Sequence, residues 1–117
     1  MARYKSHIGS NNEASVIVAS STSFRKDLAD RIASGSGDDA VINAAIADLP
    51  SSGGSVVLLE GTYYCNNSIT LNINNIKLLG QGRNTILLPT QSVTGNFVVT
   101  TGTNCFLSGM TVDGTIG

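Results

Sequence analysis

The sequence predicts a mainly β chain of short, closely spaced strands, with helical segments confined to its first half. Three observations lead there. Charge is unevenly divided: of 7 Lys and Arg and 8 Asp and Glu residues, only Lys77, Arg83 and Asp113 follow Gly61. From Ser55 onward, brief β-type segments alternate with Asn, Gly, Thr and Ser, the residues that punctuate strands with turns. Two of these segments also align, Ile76-Lys77-Leu78-Leu79-Gly80 with Cys105-Phe106-Leu107-Ser108-Gly109, each after an Asn and each ending in Gly.

The elements follow in chain order. Residues 1–13 show no periodicity and are expected to order weakly or only with a partner. Ser15-Val16-Ile17-Val18-Ala19 is short and β-branched, which predicts a strand. In residues 23–33, Phe24, Leu28 and Ile32 recur at i, i+4 and i+8 behind Ser23 as N-cap, which predicts a short amphipathic helix. Ser34-Gly35-Ser36-Gly37 stops it. A second helix is predicted over residues 39–49, with Asp38 and Asp39 as structural caps for its free amides and its positive dipole end. Val41, Ile42, Ala45, Ile46 and Leu49 give it one broad apolar face, and Pro50 with Gly53-Gly54 ends it.

Eight strands are predicted from there on, at residues 56–59, 62–65, 68–72, 76–79, 85–88, 97–100, 105–108 and 110–112. Gly61, Gly80 and Gly82 are turn residues between them, as is the Asp113-Gly114 pair. Val56-Val57-Leu58-Leu59-Glu60 aligns as an earlier copy of the repeated segment, giving offsets of 20 and 29 residues. Such offsets fall in the range of stacked repeats, the longer one absorbing a loop over residues 91–96. The pattern by itself also suits an antiparallel sandwich.

The run Gly37-Asp38-Asp39-Ala40-Val41-Ile42-Asn43-Ala44-Ala45-Ile46-Ala47-Asp48-Leu49-Pro50, then Gly53-Gly54-Ser55-Val56-Val57-Leu58-Leu59-Glu60-Gly61-Thr62-Tyr63, resembles the opening motif of pectate-lyase-like proteins. The likeness continues through Ser68-Ile69-Thr70-Leu71, Ile76-Lys77-Leu78-Leu79-Gly80-Gln81-Gly82 and Thr85-Ile86-Leu87-Leu88. It implies a right-handed parallel β-helix of about three coils, with residues 1–36 as a leader of one strand and one helix. Residues 37–117 then form the capping helix and first coils, all in one domain. The leader is similar to that of phage and prophage tail-spike and tail-fibre proteins. That likeness implies a virion protein, made in the bacterial cytoplasm, which acts in assembly or adhesion. It also implies a homo-oligomer, a trimer in that family, or stacking on further coils, with cell-surface polysaccharide as a possible ligand.

Composition narrows the chemistry. The 117 residues suit one domain. They are 41% hydrophobic but only 5% aromatic, without Trp, so small aliphatics must build the core. A net charge of −1 and a pI near 5.6 give no electrostatic footprint for nucleic acid. Apolar runs such as residues 16–19 and 56–59 fall far short of the ~20 residues that span a bilayer, and residues 1–13 do not read as a secretory signal. Cys65 and Cys105 have no CxxC spacing and the lone His7 is remote, so no zinc site is expected and both are read as small buried hydrophobes.

No catalytic residue and no cofactor are expected. Asp113 lacks the second carboxylate that a glycosidase needs, unless Glu60 supplies it. Gly80-Gln81-Gly82 lacks the frame of a phosphate loop. Tyr63 and Tyr64 are the candidate carbohydrate contacts, although adjacent strand residues face opposite ways and one of them should be core. Two further readings stay open: a fragment of a polysaccharide lyase or glycoside hydrolase whose catalytic coils lie elsewhere, and a carbohydrate-binding surface.

Overall fold

Ser15–Ala19 (β1) buries alternate side chains, Val16 and Val18, as a strand with one face on a core must. In the computed structural model, which describes residues 14–90 and 97–112, a single 3-10 turn at Lys26–Leu28 follows. Next come a two-residue strand, Arg31–Ile32 (β2), and one helix, Asp38–Ala47 (α1). The remaining strands are Gly54–Leu58 (β3), Gly61–Cys65 (β4), Ile69–Leu71 (β5), Ile76–Leu79 (β6), Thr85–Pro89 (β7), Val98–Thr100 (β8), Phe106–Ser108 (β9) and Thr111–Val112 (β10).

All strand pairs are parallel. They form three separate sheets with orders β2-β1-β3-β6-β9, β10-β7-β4 and β5-β8. Pairing of β6 with β9 sets Leu78 opposite Leu107, so the two segments that align in sequence are neighbours in space. The earlier copy is shifted by two residues, since Val56 faces Leu78 and Gly54 faces Ile76. A two-residue slip keeps the same side chains on the inner face, whereas a one-residue slip would reverse them. Sequence matching therefore tolerates this error.

The expected mainly β architecture, a right-handed parallel β-helix of about three coils behind a short helical leader, is corrected to a small compact α/β arrangement. Its three sheets are unequal, with five, three and two strands, and one helix packs beside them. The radius of gyration is 13.1 Å, close to the ~13.4 Å of a compact globule of this length. The leader is the main source of the difference. Residues 23–33 form no α-helix: Phe24, Leu28 and Ile32 are exposed at 89%, 47% and 53%, so the apolar stripe has no surface to lie on. Asp30 instead binds β1 twice, donating its backbone N–H to Ile17 O at 2.7 Å and accepting Ile17 N–H on Oδ2 at 2.9 Å. That alignment places Arg31 and Ile32 beside Val18 and Ala19, and the leader enters the largest sheet as two strands.

Like residues stack across the sheets. Val16, Val56, Leu78 and Leu107 form one inward row, and Tyr63, Leu87 and Val112 another. All of these but Leu107 and Val112 are fully buried, and Leu107 still packs on the core from its edge. Ile42, Ala45, Ile46 and Leu49 bring the apolar face of α1 and its end onto the same core. Tyr63 keeps its ring inside by donating its hydroxyl to Leu59 O at 2.7 Å and Val18 O at 3.1 Å, the polar outlet a buried tyrosine needs.

Both cysteines are free thiols, Cys65 buried and Cys105 half-buried. Burial, with Asp39 and Asp38 nearby, pushes the Cys65 thiol up to about 12 from its ordinary 9.0, and burial likewise raises the Tyr63 hydroxyl above its usual 10.0. Both folded values lie above the unfolded ones, so the unfolded chain loses these protons first as pH rises. The stabilisation is complete below pH 9 and fades between pH 9 and about 12 for Cys65. Denaturant titrations should thus show lower stability at pH 10 than at pH 8, with Cys65 accounting for a loss on the order of 1 kcal/mol. Cys65→Ala should remove that part, and equal pH dependence in wild type and variant would refute the assignment. An alkylating thiol reagent at pH 8 should label Cys105 and spare Cys65 until denaturant is added.

Candidate assembly surface

The three sheets differ in what lies along their two edges. On one side, α1 covers β4 and β5. A parallel edge strand leaves every second N–H without a strand partner, and polar side chains of α1 take these groups up. Asp38 Oδ2 accepts Tyr64 N–H at 2.9 Å, Asp39 Oδ1 accepts Asn66 N–H at 2.8 Å, and Asn43 Oδ1 accepts Thr70 N–H at 2.9 Å. Asn43 also donates from Nδ2 to Ser68 O at 3.0 Å, so one amide side chain imitates the donor and acceptor of a neighbouring strand. Asp38 and Asp39 are themselves buried.

Their role departs from the expected one. The N-cap of α1 is Gly37, in the left-handed region with φ 63° and no side-chain cap bond. Asp38 Oδ1 accepts Gly35 N–H at 2.9 Å, which closes the turn before the helix. The two aspartates thus cap a sheet edge and a turn rather than the amides of their own helix. Sequence reasoning missed Asn43, and the signal available was its polarity amid the apolar residues of α1.

On the other side, β8, β9 and β10 each form the edge of a sheet, and among the described residues nothing pairs with their outer edges. Phe106 and Val112 are exposed at 49% and 42%, while Phe97, Cys105, Leu107 and Met110 are partly buried against the core. Residues 97–112 contain no charged side chain. Edge strands usually carry Lys, Pro or inward charges that discourage pairing with another chain. These three carry none.

The remaining sequence candidates divide clearly. Tyr63 is core and unable to touch a ligand, whereas Tyr64 is 40% exposed on the outer face of β4. Gly61 has φ 123°, and a Cβ there would strike the Ser20 and Thr22 side chains. Gly80 is closed to side chains by the backbone of Gly109 and by Met110. Gly82 turns with φ 96° and donates its N–H to Gly109 O at 2.6 Å. Asp113 and Gly114 lie outside the described residues, as do His7 and the loop over residues 91–96. Glu60 accepts Phe24 N–H on Oε2 and the Ser20 and Ser23 hydroxyls on its backbone oxygen, which assigns it to the leader contact.

Among the described residues no group of three or more His, Cys, Asp or Glu could hold a metal ion. Among them, too, no helix is long and apolar enough to cross a membrane.

The edge cover is testable by isosteric substitution. Asp38 accepts two backbone N–H groups and Asp39 one, and each buried amide left without a partner costs ~1–3 kcal/mol. Asp39→Asn keeps an acceptor for its single bond, whereas Asp38→Asn turns one of two acceptors into a donor facing an N–H. Denaturant unfolding should therefore show Asp38→Asn as the more destabilising by ~1–3 kcal/mol. Equal losses would refute the two-bond role. Compared with protein-family models, with curated proteins and with solved structures, the chain finds no match in any of the three.

Proposed function

We propose that this chain is a non-catalytic structural module that acts by assembling with copies of itself. The observation that supports this most is the contrast between sheet edges. α1 occupies the β4 and β5 edges through four hydrogen bonds, while β8, β9 and β10 present open strands, apolar side chains and no charge. Pairing such edges between chains satisfies backbone groups and buries apolar surface together. The resemblance of residues 37–88 to pectate-lyase-like proteins and of the leader to phage tail proteins supports placing the module in a phage or prophage tail. It would be made in the bacterial cytoplasm and act in the virion, in assembly or adhesion.

Adhesion to a polysaccharide is a second reading, favoured by one observation. Tyr64 stands on the outer face of β4 directly beside Leu88 of β7, a small apolar platform of the kind on which sugar rings stack. The lyase or hydrolase reading draws no such support. Both oxygens of Asp38 and one of Asp39 are engaged by backbone amides, and Glu60 is tied to the leader.

Size-exclusion chromatography with light scattering decides the assembly reading. The full chain should run above monomer mass at high concentration. Phe106→Lys with Thr111→Lys should lower that mass to a monomer while leaving the circular dichroism spectrum and unfolding midpoint near those of the parent, because both residues are exposed and stand opposite the outward-facing Lys77 and Ile86. A wild-type chain that stays monomeric at high concentration would sink the proposal.

A further inference from the structure

We draw no further inference here: the strongest candidate, the exposed apolar patch formed by Phe24 and Leu28 in the leader turn and Ile32 on the edge strand β2, carries nothing because among the described residues nothing shows what covers it.

Discussion

The structure depends on α1 standing in for a strand along β4 and β5. Without it, the outward amides of Tyr64, Asn66 and Thr70 would face either water or the apolar side of the helix, and buried amides without partners are costly. Two adjacent residues reach amides two positions apart because successive side chains on a helix splay by ~100°, while edge amides recur every ~6.6 Å along a strand. Carboxylates suit the task. A backbone N–H bonds an ionised oxygen more strongly than a neutral one, and the positive end of the α1 dipole lies beside Asp38 and Asp39. Burial of two acids at the start of one helix thus follows from their use as acceptors.

The leader is held by the same chemistry. Asp30 binds Ile17 N–H, Glu60 binds Phe24 N–H, and the hydroxyls of Ser20 and Ser23 close on Glu60 O. Ser23 Oγ also accepts Ser20 N–H at 2.7 Å, so the turn after β1 is internally satisfied. Tyr63 joins this region to the core from below, through Val18 O and Leu59 O. Packing and polar contacts cooperate here: a fully buried core residue also bonds a carbonyl of β1. Arg31 adds an ion pair between leader and helix, with Asp48 at 2.8 Å, near the α1 C-terminus.

Strand positions from Ser55 onward were legible in the sequence because period-2 burial and Asn or Gly punctuation agree with each other there. Ile76–Leu79 is an example, with Ile76 and Leu78 buried and Lys77 turned outward. Its pairing with β9 was legible too, from the shared Asn-to-Gly frame. The leader was not. Phe24, Leu28 and Ile32 have helical spacing, yet three residues give too small an apolar stripe to outweigh the two bonds that Asp30 makes with β1, and those bonds join residues 13 positions apart. Periodicity reports a local preference and carries no information about a distant acceptor. The same blindness affected Asp38 and Asp39, whose sequence context reads as an N-cap while their partners lie 26 and 27 residues away. Architecture suffered most, because sheets of five, three and two strands arise from which edges the leader and helix occupy, and repeat spacing alone predicts equal ones.

The uneven charge along the sequence acquires a structural meaning from these contacts. Asp30, Asp38, Asp39 and Glu60 each spend a carboxylate oxygen on a backbone N–H, so these four acids serve as edge and turn acceptors, while Asp27 and Asp48 pair with Arg25 and Arg31. Between Gly61 and Asp113 there are no acids, and β8, β9 and β10 accordingly have no side chain able to play that part in the same way. Their uncovered edges and their lack of charge are therefore one property seen twice. A strand edge of this composition is disfavoured in a lone soluble chain, since it invites pairing with any extended segment it meets. It is favoured when a specific surface covers it, because a charged acceptor placed there would have to be desolvated on contact. Among the described residues, the layer over residues 97–112 thus combines unpaired strand edges with an absence of charged side chains.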